Sequence, residues 1–404
     1  MQQADILKQG HKPVRLKLWQ SLFQRLLSKA QAGTLHVRFS DGNYFTIRGA
    51  DEGPQAVLHL HNLRPVWRLI TAGELGFARS YLEGDWDSPD VGAVLGFALK
   101  NEQALLSLLR TSGVWGRLDY WRHRLRPNSV RGSRQNIAFH YDLGNDFYRL
   151  WLDESLTYSS ALFTRPDLTL FEAQAAKYAR ILTQLNIGPE DHVLEVGCGW
   201  GGFAEYAVRK TGCRVTGLTL STEQAHYARA RLKAAGFEDR TDIRLEDYRH
   251  VTGTYDKIVS IEMFEAVGED NWPVYFDVLR QRLKPEGRAL IQTITISDER
   301  FEHYRRHADF IQTYIFPGGM LPSPDAFRRS ATASGFKVDE ALAFGSDYAR
   351  TLRLWDQAFI KEWDSIKVQG FDQRFFRMWH YYLQYCAAGF EGDPLDVYQY
   401  TLSV

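Results

Sequence analysis

The run Val193-Leu194-Glu195-Val196-Gly197-Cys198-Gly199-Trp200-Gly201-Gly202 holds residue types and spacings suited to binding chemistry. Its apolar start reads as a strand, its glycines as a tight turn and the following FAEYAVRK as a helix. Glycines at 197 and 199 let a backbone approach a ligand closely. Dinucleotide enzymes use similar turns, but their G-x-G-x-x-G spacing differs from the E-x-G-x-G form here. Glu195 at the strand end suits the cationic methionine part of S-adenosylmethionine (SAM). Thr219 closes the next strand, in GLTLS, where many dinucleotide sites carry an acid. Thr219 and Gln224 suit ribose and methionine groups, and Tyr248 in EDYRH offers a ring against adenine. A second constellation is Glu262 and Glu265 in SIEMFEAVG. If that segment enters a helix, the two project from similar faces. Neighbouring carboxylates raise one another's pKa, as does an apolar pocket, so the pair is a candidate base. The plainer alternative makes Glu262 a surface or capping residue.

These residues need a frame. From residue 171 the pattern runs helix (FEAQAAKYARILTQLNI), strand–turn–helix, then strand and helix (CRVTGLTLSTEQAHYARARLKAAG). DIRLEDYRHV, YDKIVSIEMFEAVG, VYFDVLRQRLKPEG and RALIQTITI continue the alternation, which predicts a parallel, doubly wound sheet. Residues 298–340 interrupt it with FEHYRRHADFIQTYIFPGGMLPS, an insertion expected above the carboxyl ends of the strands. The aromatic C-terminal stretch reads as helical. Ahead of all this, residues 1–30 carry apolar residues at amphipathic helical spacing, and 33–50 alternate around SDGN as a β-hairpin. AVLHLHNLRPVWRLI reads as a further strand and 73–112 as largely helical. The division expected is an α+β domain over 1–115, a basic linker over 116–135 and an α/β, Rossmann-like domain over 136–404.

Length and composition agree with two domains: 404 residues, 44% hydrophobic, 24% charged and formally neutral. Three cysteines, Cys198, Cys213 and Cys386, lack metal-ligand spacing, so no metal site is expected; their odd number argues for a reducing, cytoplasmic setting. The first residues lack the apolar core of a signal peptide, and no apolar run reaches the ~20 residues of a bilayer span. Charge is uneven. Lys8, Lys12, Arg15, Lys17, Arg25 and Lys29 cluster near the N-terminus. Arg117, Arg122, Arg124, Arg126, Arg131 and Arg134 interleave with Tyr120 and Trp121. Such stretches suit an anionic membrane surface or a solvated linker. No nucleic-acid recognition motif accompanies them.

HYDLGNDFYRLWLDESLTYSSALF (140–163), LEVGCGWGGF, GLTLSTEQ, EDYR, SIEMFEAVG, QTI, YIFPGGMLPS and FGSDYARTL follow in one order over about 220 residues. This set resembles the cyclopropane fatty acid synthase family, which includes the mycolic acid methyltransferases. The hairpin and LEGDW of the N-terminal domain resemble the extra domain of the bacterial phospholipid enzymes. The resemblance implies a SAM-dependent methyltransferase acting on a cis double bond of phospholipid acyl chains, reached from the membrane surface. It implies that Tyr158, Ser159, Gly197, Gly199, Thr219, Gln224 and Tyr248 bind SAM. It also implies a bicarbonate ion held by a carboxylate, a histidine, a tyrosine and backbone, with Glu265 and Tyr348 matching the carboxylate and the tyrosine. Three positions depart from the family: Ser160 replaces a cysteine, Gln292 a histidine and Glu262 a glycine.

An alkene attacks a sulfonium methyl only when aligned in a dry pocket. The resulting cation suits aromatic faces, for which Tyr348, Tyr314, Phe316 and Phe264 are candidates. A base then decides the product. A proton taken from the new methyl closes a cyclopropane; one taken from the chain leaves a methyl-branched or methylene-bearing alkene. The base is either the Glu262–Glu265 pair, or Glu265 with Gln292 and Tyr348 around a small anion. Alternatives outside this reading are a methyltransferase of a soluble apolar metabolite and a non-catalytic lipid-binding protein. A homodimer would meet a membrane with two basic surfaces.

Overall fold

The computed structural model describes residues 17–109, 143–392 and 394–404. The chain divides into two compact units, Met1–Gly113 and Val114–Val404. Lys8, Lys12 and Arg15, and the basic stretch 116–135, lie outside the described residues.

In the first unit, α1 (Leu18–Leu27) buries Gln20, Phe23 and Leu27 and leaves Leu18 and Leu22 exposed. β1 (Ala32–Phe39) and β2 (Tyr44–Arg48) form the expected antiparallel hairpin. β3 (Asp51–Leu60) pairs with the other side of β1, in parallel. The chain therefore turns under the start of β1, where Gly49 N–H donates to the Gly33 carbonyl and Asp51 N–H to the Gln31 carbonyl. A Cβ on Gly49 would stand 2.3 Å from the Gln31 carbonyl carbon, so only glycine passes there. The strand expected over 56–70 stops at Leu60. Arg64 opens α2 (Arg64–Leu82), with Pro65 in the first turn, where its missing N–H costs no hydrogen bond. β4 (Trp86–Asp87), α3 (Val91–Lys100) and α4 (Glu102–Leu109) complete the unit.

The described part of the second unit begins with α5 (Asn145–Arg149) and α6 (Leu170–Leu185). Thr169 and Glu172 close a capping box at the start of α6, and Asn186 ends it in a left-handed conformation. Then come β5 (His192–Val196), α7 (Gly202–Thr211), β6 (Arg214–Thr219), α8 (Thr222–Ala234), β7 (Thr241–Leu245) and β8 (Tyr255–Ile261). α9 (Trp272–Arg282) leads into β9 (Leu283–Ile296). The insertion holds α10 (Asp298–Tyr304), a π-helical turn (Ile311–Ile315) and α11 (Pro324–Ala333). β10 (Lys337–Ala343), α12 (Gly345–Lys361), α13 (Trp363–Val368), α14 (Gln373–Glu391) and β11 (Leu395–Ser403) follow.

The seven strands lie in the order β10-β11-β9-β8-β5-β6-β7. β5 to β9 are mutually parallel, as expected. β11 runs antiparallel to both β9 and β10, which corrects the all-parallel reading. Hydrophobic alternation reports a period of two but not a direction, and an antiparallel strand near the edge of a parallel sheet is common. Apolar layers cover both faces. One gathers Leu194, Ile258, Phe264, Tyr275, Phe276 and Phe327; the other gathers Ile181, Val193, Phe203, Val215 and Val259.

Candidate active site

The glycine turn sits at the carboxyl end of β5. Gly197 and Gly199 adopt φ of 86° and 51°, which glycine reaches without penalty. The N–H groups of Gly197 and Cys198 both donate to the Leu218 carbonyl, at 3.0 and 2.8 Å, tying the turn to β6. A Cβ on Gly197 would fall 2.9 Å from Met263 Cγ, whereas around one on Gly199 the space is open. Glu195, 2% exposed, lies beneath. Its Oε2 has no hydrogen-bond partner among the described residues. Burial pushes its carboxyl well above the usual range, against the pull of Arg231 and Lys177. A buried acid with an unused oxygen beside an open glycine turn fits the ammonium group of a bound methionine moiety.

Two further elements extend this cradle. Thr219 Oγ1 donates to Gln224 Oε1 at 2.9 Å and accepts from Ser221 N–H at 3.1 Å. With its oxygen engaged, Gln224 has its amide N–H groups to offer. A shallow cleft opens between Leu220, Asp247, Tyr248, Arg249, Met263 and Val267. Asp247 grips the Arg249 guanidinium through both oxygens, at 2.8 and 2.7 Å, and Tyr248 packs edge-on against Tyr275.

The loop before α6 brings Tyr158, Ser159 and Ser160 to the same end of the sheet. The Tyr158 hydroxyl pairs with that of Tyr382 at 2.7 Å, and its ring leans on Trp151 and Trp355. The Ser159 hydroxyl accepts from Lys177 Nζ at 2.6 Å, while the Gln174 amide donates to the Ser159 carbonyl. Lys177 is fully buried. Burial pulls its pKa down to about 7, although Glu262, Asp153 and Glu195 favour the charged form. Sequence reasoning missed this lysine, yet a signal was there. Ala173, Lys177, Ile181 and Leu185 form one i, i+4 stripe, and all four are buried.

Glu262 is the centre of the polar cluster. It takes φ of 50°, a left-handed conformation rare for a residue with a side chain. No helix forms here; a single 3-10 turn, Phe264–Ala266, follows. The two glutamates therefore reach different partners, contrary to the shared helix face expected. Glu262 Oε1 accepts from Ser160 N–H at 2.8 Å and from Gln292 Nε2 at 2.7 Å. Its Oε2 accepts from the Tyr348 hydroxyl at 2.6 Å. Glu265 Oε1 accepts from Ile294 N–H at 2.5 Å, and its Oε2 has no partner among the described residues. Burial, helped by the charge of Glu262, pushes Glu265 up to about 8. Burial also raises Glu262, but Lys177 and the three donors oppose it. The environments thus differ: burial raises both carboxyls, but Glu262 alone has a facing cation and three donors that favour its charged form.

Three expectations change. Ser160 serves through its backbone N–H, because its hydroxyl donates to the Ala161 carbonyl. Phe264 is fully buried among Trp272, Tyr275, Phe276 and Phe327, which removes it from the aromatic faces available to a cation. The Ser160 N–H, Gln292 and Tyr348 donors are all taken by the Glu262 carboxylate. A bicarbonate ion would compete with a resident negative charge for those donors, so the residues present do not fit it.

A doubly wound sheet carrying this cradle at its carboxyl ends defines a SAM-dependent methyltransferase, with SAM as methyl donor. Residues 128–400 match the model of the mycolic acid cyclopropane synthetase family, and the chain belongs to that family. It is 39% identical over 385 residues to a tuberculostearic acid methyltransferase of Mycobacterium tuberculosis, covering 91% of this chain and 87% of that one. It is 34% identical over 343 residues to the cyclopropane-fatty-acyl-phospholipid synthase of Escherichia coli, covering 83% and 85%. A crystal structure of a mycolic acid cyclopropane synthase complexed with SAH and CTAB superposes with a TM-score of 0.63 at 34% identity. It covers 67% of this chain and 97% of that one.

Proposed function

We propose that this enzyme methylates the cis double bond of unsaturated acyl chains in phospholipids, leaving a methyl-branched or methylene-bearing chain, with Glu262 as the base. The observation carrying this reading is the Glu262 carboxylate, held by three donors beside the cofactor cradle. SAM supplies an electrophilic methyl group on a sulfonium. Glu195, Gly197, Gly199, Thr219, Gln224, Tyr248, Tyr158 and Ser159 are the residues to hold it. The chain's aromatic residues exclude water, and Tyr348, Tyr314 and Phe316 offer faces to a developing cation. Once the new carbon–carbon bond exists, Glu262 takes at Oε2, the oxygen with a single donor, a proton from the chain carbon beside the cation, leaving a methyl-branched alkene. If a hydride first shifts to the cationic carbon, the proton comes from the methyl and a methylene group remains. Cyclopropane formation is the second reading, favoured by the family itself; the glutamate, glutamine and serine at 262, 292 and 160 favour the first. Incubation with SAM and vesicles of cis-monounsaturated phospholipid, followed by mass spectrometry and ozonolysis of the acyl chains, decides. A gain of one methylene with an ozone-cleavable bond supports the first reading, and an ozone-resistant gain the second. No gain with SAM bound overturns both.

The assignment of Glu265 has a pH signature. Its carboxyl is neutral below about 8. As pH rises through that value a second negative charge forms beside Glu262, and turnover is expected to fall. Glu265→Gln mimics the neutral acid, so it should keep most activity at neutral pH and lose this alkaline limb. An alkaline limb that persists in the variant would remove the assignment.

We further propose that the first unit docks on the bilayer. Leu63, Trp67 and Ile70 stand at i, i+4 and i+7, are 44%, 64% and 42% exposed, and have beside them Arg64, which is ion-paired with Asp85. An amphipathic, cation-flanked aromatic face suits an anionic interface. Trp67→Ala is expected to weaken binding to anionic vesicles roughly tenfold, with SAM affinity unchanged. Equal vesicle binding by both proteins would place the contact elsewhere. No helix among the described residues is long and apolar enough to cross a membrane.

A further inference from the structure

A chain of hydrogen bonds runs from the outer strands of the sheet to Glu262. Gln399 of β11 stands directly opposite Gln292 of β9, and Gln292 stands opposite Ile261 of β8, the residue before Glu262. Three neighbouring strands thus place polar side chains side by side. Gln399 Nε2 donates to Gln292 Oε1 at 2.9 Å, and Gln292 Nε2 donates to Glu262 Oε1 at 2.7 Å. From α6, Arg180 donates to Gln399 Oε1 at 2.7 Å and to Glu340 Oε1 at 2.5 Å. Both glutamines are fully buried.

The two ends of this chain dictate its direction. A carboxamide can present either its oxygen or its N–H2, but a guanidinium only donates and a carboxylate only accepts. With Arg180 at one end and Glu262 at the other, each glutamine has a single orientation that satisfies both neighbours. Turning either amide would set oxygen against oxygen and N–H against N–H in a buried place, losing two hydrogen bonds.

We propose that Arg180 is a positioning residue that, through Gln399, holds the Gln292 amide with its N–H2 toward Glu262 and so favours the charged form of that carboxylate and aims it. This rests on Glu262 acting as the base. The charged and titratable groups that otherwise face Glu262 are Lys177 from α6, Tyr348 from α12 and Glu265 from its own segment. None of them changes when Arg180 is replaced.

The test compares Arg180→Met and Arg180→Lys, with Glu262→Gln measured alongside. Turnover is followed against pH on vesicles of cis-monounsaturated phosphatidylglycerol, together with the KM for SAM, the thermal midpoint and infrared carboxyl bands. Arg180→Met is expected to lower kcat about tenfold and to move the acid limb up by about one pH unit, with the KM for SAM nearly unchanged. A protonated-carboxyl band should appear at a pH where the unaltered enzyme shows a carboxylate. Lysine, also donor-only, should restore most of the loss. Unaltered kcat and acid limb in Arg180→Met would overturn the proposal, as would equal losses in both variants with the limb unmoved. If Glu262→Gln turns over normally, the base assignment fails and this proposal falls with it. If Glu262→Gln is inactive while Arg180→Met is normal, the relay alone is wrong.

Discussion

Glu262→Gln is expected to lower kcat by about 10²- to 10⁴-fold, the usual contribution of a positioned general base, with SAM binding retained. The amide keeps the volume and, with its oxygen toward Ser160 and Gln292 and its N–H2 toward the Tyr348 hydroxyl, keeps those contacts, but it cannot take a proton. Glu262→Gly makes the test sharper. Glycine relieves the left-handed backbone at this position and empties the niche in front of three donors. That variant should be slow on its own and recover with added bicarbonate or formate, whereas the unaltered enzyme should ignore both. Stimulation of the unaltered enzyme by bicarbonate, measured in carbonate-depleted buffer, would show that Glu262 does not fill the anion's place.

Lys177→Met is expected to lower kcat/KM between about ten- and a hundredfold, since a buried charge-assisted hydrogen bond contributes about 1.5–3 kcal/mol. Methionine fits the volume of the stem but removes the donor to Ser159 and the cation facing Glu262 and Glu195. The stability effect has the opposite sense. Folding lowers the pKa of this lysine from 10.5 to about 7, so the unfolded chain binds the extra proton between those values. Stability from this group therefore rises with pH across that window, and below it the buried charge is a net cost. The variant should lose this rise while unfolding no more easily near neutral pH. A parallel pH dependence of the thermal midpoint in both proteins would show that the lysine is not strained by burial. Loss of activity without loss of stability marks a charge kept for function.

Where a feature was local, it could be read from residues alone. Strand, glycine turn and helix around Glu195 lie within one short run, and so does the capping box at Thr169. Features made by distant partners could not. The left-handed turn at Glu262 is anchored by its N–H to the Gln292 carbonyl, a strand pairing that no local pattern reports. Gln292 was noted as a departure from the family, but its meaning depends on Gln399 and Arg180, which carry no motif. Lys177 stood in an apolar stripe, and its charge argued for solvent. Phe264, two residues after Glu262, points into the core because the segment turns there instead of forming a helix.

The position of β11 also bears on how the protein is made. This strand lies between β9 and β10, although both precede it in the chain. On the ribosome, the parallel strands and their helices emerge first and leave a slot between two unpaired edges. Such edges invite pairing with other chains, and a long-range closing contact is slow to form. Gln399 arrives with the strand that fills the slot, so the base acquires its hydrogen-bonded support only as the sheet closes. Synthesis and the proposed positioning of Gln292 are thereby coupled, because a chain that has not closed the sheet lacks the Gln399 side chain.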